Sequence, residues 1–194
     1  MTGTYQNFAP DDPFGTLAEQ HRGRIVPQPA REWFIAQGVP PINLAKTWAG
    51  FLDMVLHDDV IFLDNGCFEF CRYREGKIEP ALTFVCWSHD GVAEDVCAWQ
   101  ATTGKIATWL GRAAMLGEDN IAAPRLGDGL AVHDGPLAWL KSNRDGVVIL
   151  DRGRAAPMLR DAGTLLVASL EEAKRLRRTL AVALPTILVP EVAA

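Results

Sequence analysis

The chain has 194 residues, 48% of them hydrophobic and 22% charged, with a formal net charge of −5. This composition excludes disorder throughout and provides for one sizeable domain or two small ones. A folded chain of this length buries roughly 70% of the surface it exposes when unfolded, so neither a disulfide nor a metal is needed to hold its core.

Residues 1–26 are rich in Thr, Asn, Asp, Gly and Pro without a sustained period, which predicts an N-terminal arm that contributes nothing to the core and is loose unless a partner or the body of the fold pins it. The start, MTGTYQNFAPDDPFG, lacks a basic segment followed by a long apolar run. No signal peptide or spanning helix is expected, and a cytoplasmic protein without membrane contact is the corresponding expectation. In that compartment Cys67, Cys71, Cys86 and Cys97 are expected as free thiols acting as small buried hydrophobes. Cys67 and Cys71 fall in CFEFCRY, whose alternation is that of a strand. At ~3.3 Å per residue their sulfurs lie ~13 Å apart, too far to share one zinc ion.

Residues 27–121 form the first structured section. PQPAREWFIAQG predicts a helix with Pro29 near its start, Trp33 and Phe34 facing inward and Gly38 as its stop. A second short helix is expected through INLAKTWAGFLDMV, after Pro40 and Pro41. From Val60 to Leu116 the apolar runs VIFLD, CFEFCRY, ALTFVCW, VAEDVCAWQA and KIATWLGRAAML are separated by short polar connectors, predicting an antiparallel meander of about five strands. Trp87, Trp99 and Trp109 lie on three successive strands of this meander. They are expected on one face, in a core layer between sheet and helices rather than as a platform for stacked bases.

AAPRLGDG, residues 122–129, is the boundary before an α/β unit over residues 129–194. There LAVH, GVVILD, TLLVAS and PTILVP alternate with the helical segments PLAWLKSN, RAAPMLRDAG and LEEAKRLRRTL. This alternation predicts a mostly parallel four-stranded sheet with helices against it. The fold class is therefore α+β: helices and an antiparallel meander followed by a small α/β unit.

Charge is unevenly divided along the chain. Residues 1–120 hold 9 Lys and Arg against 16 Asp and Glu, whereas residues 121–194 hold 10 against 8. Much of the later positive charge is in the last helix, where Lys174, Arg175, Arg177 and Arg178 are candidates for binding nucleic acid or a protein partner. The same residues also fit the solvated face of a helix whose Leu176 and Leu180 point at the core. Ser169 with Glu172 matches a capping box for that helix. At the end of the first parallel strand stand His133, Asp134 and Gly135, where ligands of open α/β sheets collect. Asp134 is expected to accept hydrogen bonds from the unpaired N–H groups of the helix after it.

The segment LAVHDGPLAWLKSNRDGVVIL resembles the opening of the Toprim fold of primases, topoisomerases and primase-like proteins of phages and plasmids. In that fold a strand ending in Glu-Gly leads into a helix and a second strand. REWFIAQGV and the stretch from Glu79 to Gly111 are similar to segments that precede such modules in mobile-element primases. The resemblance implies a magnesium site in which the Glu is paired with an Asp-x-Asp motif at the end of the third strand. Here Asp134 stands in place of the Glu, and ASLEE replaces the Asp-x-Asp. The expectation is a module that has lost catalysis, with no cofactor, in a non-enzymatic accessory protein of a phage or mobile element linked to DNA replication. Two alternatives stay open. A weak magnesium-dependent phosphoryl-transfer enzyme would use Asp134, Glu171 and Glu172, and a structural protein would oligomerise through its β edges.

Overall fold

The computed structural model describes residues 23–48, 51–71, 76–122 and 129–181. Its elements are β1 (Arg24–Ile25), α1 (Gln28–Ala36), a 3-10 turn (Pro41–Leu44), β2 (Ala45–Trp48), β3 (Phe51–Met54), β4 (Leu56–Phe62), β5 (Phe68–Phe70), β6 (Glu79–Trp87), β7 (Ala93–Gln100) and β8 (Lys105–Thr108). There follow β9 (Met115–Leu116), a second 3-10 turn (Glu118–Asn120), β10 (Leu130–His133), α2 (Pro136–Lys141), β11 (Val147–Ile149), α3 (Arg152–Asp161), β12 (Leu165–Leu166) and α4 (Leu170–Leu180). The class is α+β, with a six-stranded antiparallel sheet and a four-stranded mixed sheet whose strands are mostly parallel. Among the described residues no helix is long and apolar enough to cross a membrane.

The first sheet runs β1-β4-β6-β7-β8, with β5 also paired to β4. It curls until its edges meet: the Thr108 N–H donates to the Gly66 carbonyl at 3.2 Å, and Cys67 bridges Thr108 in parallel. The pleat then separates two cores. Val60, Phe68, Val96, Ala98 and Ala107 pack inside the curl. Leu82, Phe84, Cys97 and Trp99 on the other face pack against Phe34 of α1, Trp139 and Leu140 of α2, and Leu116 and Val148 of the second sheet. One core thus draws on both sections of the chain.

The second sheet has the order β12-β10-β11-β9. β10 pairs in parallel with β11 and β12, while β9 pairs antiparallel with β11. Successive residues of β11 face opposite ways: Val148 joins the core shared with the first sheet, and Val147 joins Leu130, Met115, Leu159 and Leu176 under α3 and α4. The small sheet is therefore covered on both faces, which explains its short apolar strands.

Several sequence expectations are corrected. Ala45–Trp48 and Phe51–Met54 pair as antiparallel strands, not a helix, with Ala45 opposite Met54 and Lys46 opposite Asp53. Arg24 and Ile25 pair with β4 and Val26 is buried, so the end of the N-terminal arm belongs to the fold; residues 1–22 lie outside the described residues. KIATWLGRAAML is not one strand, because β8 stops at Thr108 and Met115–Leu116 crosses into the second sheet. The segment PTILVP, expected as that sheet's fourth strand, lies outside the described residues. Phe34 is fully buried but Trp33 is 37% exposed. The three tryptophans do not share a face: Trp99 sits in the core against α1 and α2, Trp109 packs on Phe70 beside the curl's interior, and Trp87 turns its indole N–H to Asp53. Cys86 and Cys97 are buried free thiols as expected, while Cys67 and Cys71, also free, flank β5 in half-buried positions.

The crossing from β8 to β9 depends on Asp95, whose side chain is fully buried. Its Oδ1 accepts the Leu110 N–H at 2.8 Å, and its Oδ2 accepts those of Arg112 at 2.7 Å and Ala113 at 3.2 Å. A carboxylate that receives several backbone donors replaces the hydration lost on burial and fixes the loop that feeds β9 to the second sheet. Replacing Asp95 with Ala strands three buried or half-buried N–H groups, at about 1–3 kcal/mol for each fully buried one. Urea unfolding is expected to show Asp95→Ala destabilised by at least about 3 kcal/mol, the cost of more than one lost bond.

Candidate functional site

The carboxyl ends of β10, β11 and β12 open on a cleft of about 140 Å³. Val132, Ile149, Val167 and Leu176 give it apolar walls, while His133, Asp134, Arg152, Glu172, Arg175 and Thr179 bring polar groups. The position follows from the topology, since parallel strands end together and the helices that return from them start beside the same edge.

Of the residues singled out from the sequence, the structure brings Asp134, Glu172 and Arg175 to this cleft. Glu171 is elsewhere, ion-paired to Lys174 at 2.7 Å on the exposed side of α4. Arg177 and Arg178 are exposed on α4 but do not line the cleft. The capping box of α4 is present: the Glu172 N–H donates to Ser169 Oγ at 3.2 Å, and Glu172 Oε2 accepts the Ser169 N–H at 3.1 Å.

Asp134 does not cap α2. The N-cap is Gly135, in extended conformation and with no side-chain hydrogen bond, and Pro136 at the first helical position has no N–H to offer. The capping aspartate is Asp151, at the end of β11, which accepts the N–H groups of Gly153 at 2.8 Å and Arg154 at 3.2 Å at the start of α3. Asp134 is exposed and its carboxylate makes no hydrogen bond or ion pair with the described residues, so its place at the cleft has no structural duty behind it.

Arg152 and Arg175 are both exposed, and neither guanidinium has a hydrogen bond or an ion pair among the described residues, although Asp134 and Glu172 share the cleft with them. His133 Nε2 is 2.8 Å from the Asp145 carbonyl, an acceptor, which places a proton on that nitrogen. Arg152 was not anticipated from the sequence. Its one signal is its place directly after the Asp151 cap, where the first helical residue projects at the strand ends.

No protein-family model matches this chain, and no curated protein matches it. The magnesium site implied by the Toprim resemblance must therefore be judged on geometry. Glu172 is engaged with the Ser169 backbone and Glu171 with Lys174, and among the described residues no group of three or more His, Cys, Asp or Glu side chains is placed to hold a metal ion. Asp134, Glu171 and Glu172 do not fit such a site.

A second polar cavity, of about 10 Å³, lies where the β2–β3 hairpin meets α2 and is lined by Lys46, Asp53, Trp87, Asp119, Trp139 and Arg144 among others. Arg144 is 2% exposed. Its Nη1 donates to Asp53 Oδ2 at 2.9 Å and its Nε to the Asn43 carbonyl at 2.9 Å, while Nη2 has no partner. The space beside it is about the size of one water molecule. Burial pushes the Asp53 carboxyl up, outweighing the attraction of Arg144, and burial lowers Arg144. Asp119 is likewise raised by burial, which outweighs Lys46 at 3.9 Å.

Arg144→Met leaves the Asp53 carboxylate buried without its cation, and a loss of about 3–5 kcal/mol is expected in denaturant unfolding. The double variant Asp53→Leu/Arg144→Met is expected to lose less, because no isolated charge remains. For Asp119 the folded pKa lies above the ordinary carboxylate value of the unfolded chain, so the folded protein retains a proton that the unfolded chain releases. Its contribution to stability is greatest below that value and falls as pH rises toward the folded pKa. Asp119→Asn is expected to flatten this part of the decline, read from urea midpoints across an acidic pH series.

Proposed function

We propose that this chain is a non-enzymatic accessory protein of a phage or other mobile element, linked to DNA replication, with a catalytically degenerate Toprim-like module that contacts nucleic acid at the strand-end cleft. One observation carries the reading: two guanidinium groups without a partner among the described residues, Arg152 and Arg175, line the place where α/β sheets collect ligands. Arginine suits phosphate because its planar fork presents paired donors and keeps its charge. The resemblance of the 130–150 segment to Toprim modules supplies the biological setting. The scattered acids favour binding over phosphoryl transfer, since Glu172 holds a helix cap and Glu171 a lysine.

The chain's net charge of −5 makes the contact local rather than a broad basic face. Fluorescence anisotropy with labelled single- and double-stranded DNA tests it. Binding is expected at low ionic strength, weakened at least about tenfold in the Arg152→Ala/Arg175→Ala variant by loss of two charge-assisted contacts. Absence of binding to either form of DNA at low salt overturns the reading.

A further inference from the structure

Resting on that reading, we infer that the strand-end cleft recognises a terminal phosphate monoester on a nucleic-acid strand, not a run of internal phosphodiesters. The cleft gathers two cations without a partner among the described residues, Arg152 and Arg175, at a volume of about 140 Å³, which suits one phosphate group. A monoester carries close to two negative charges near pH 7 and three acceptor oxygens, against one charge for an internal diester. Two guanidinium groups therefore match the end of a strand in charge and in donors.

The surroundings disfavour a continuing backbone. Asp134 lines the same cleft with a carboxylate that has no partner among the described residues, and Glu172 places a second carboxylate there. A strand that passed through would bring further phosphates against both, whereas one that ends in the cleft leaves a single group beside the arginines. On the flanking helix Lys174 is already paired with Glu171 at 2.7 Å and Arg178 Nε donates to the Lys174 carbonyl, while Arg177 does not line the cleft. The start of α3 adds no backbone donors either at Gly153 and Arg154, whose N–H groups are held by Asp151. Recognition accordingly falls to the two arginine side chains, and Asp134 sets the preference for an end.

The test uses the full chain and one short single-stranded oligonucleotide carrying either a terminal phosphate or a terminal hydroxyl, with inorganic phosphate as competitor. The phosphorylated form is expected to bind about tenfold tighter, with millimolar phosphate abolishing the difference. The salt dependence should correspond to about one or two phosphates, a slope near −0.7 per phosphate on single strands. Arg152→Ala and Arg175→Ala should each erase the preference, with circular dichroism confirming the fold, while the charge-matched control Arg31→Ala, on exposed α1, retains it. Asp134→Asn should raise affinity for the hydroxyl-ended strand and narrow the gap. Equal binding of the two oligonucleotides overturns end recognition while leaving nucleic-acid binding in place. Failure of both to bind overturns the two together. A preference that survives both arginine substitutions overturns the assignment to this cleft.

Discussion

Arg144 is where the two halves of the molecule are tied, and the rest of the architecture depends on that tie. Its guanidinium reaches from the turn after α2 to Asp53 on β3 and to the Asn43 carbonyl of the 3-10 turn. The group lies over the Trp139 ring at 5.6 Å, and Asn43 returns a hydrogen bond to the Leu140 carbonyl at 2.7 Å. The backbone at Asn143 and Arg144 is left-handed, with φ of 55° and 57°, conformations that non-glycine residues adopt at a cost. Such strain persists only where surrounding contacts over-determine it. A buried ion pair is weak as a source of net stability but demanding in geometry. Its effect here is to specify how the hairpin sits on the α/β half.

Around that tie the backbone is packed with little clearance. Asn120 Nδ2 donates to the carbonyls of Gly117, Arg144 and Gly146 at 2.9–3.1 Å, and the Trp139 indole shares the Gly146 carbonyl at 3.1 Å. A β-carbon at Gly117 would collide with the Gly146 carbonyl, and one at Gly146 with that of Ala131, while both glycines have positive φ. Together with Asp95, which fixes the loop into β9, this network sets β11 between β9 and β10. The strand ends that frame the cleft are thus positioned by groups in the other half of the chain.

Much of this order was legible in the sequence, and the misreadings have identifiable causes. Alternation of short apolar runs with amphipathic segments after residue 129 gave the parallel strands and helices, because β11 is covered on both sides and each helix on one. The Ser169–Glu172 box was readable because both partners are local. Leu44, Trp48, Phe51 and Val55 recur at three- and four-residue spacing, the local period of a helix, where the fold has β2 and β3. Pairing of β2 with β3, and the Arg144 contact 91 residues away, overrode that local period. β9 was absorbed into the preceding strand because the Asp95 bonds that redirect the loop are non-local. In the cleft, Asp134 and Arg175 were legible by position, but Arg152 was not, since only the fold brings α3 and α4 to one edge.

The two aspartates at strand ends show how identical chemistry acquires different roles. Asp151 is followed by residues with N–H groups to offer, so its carboxylate turns onto the helix and is spent in capping. Asp134 is followed by Gly135 and then by Pro136, which lacks an N–H, and the helix after it starts without a side-chain acceptor. Glu172 repeats the first case, because leaving the cleft wall to ligate an ion would release the Ser169 N–H. Capping and cation binding compete for the same oxygens, and at Asp151 and Glu172 capping has them. Among the described residues, what remains unengaged at the strand ends is one carboxylate, Asp134, and two guanidinium groups, Arg152 and Arg175. In a chain that is acidic overall, two guanidinium groups beside two carboxylates, one of them held in a cap, are what the fold offers to an anion there.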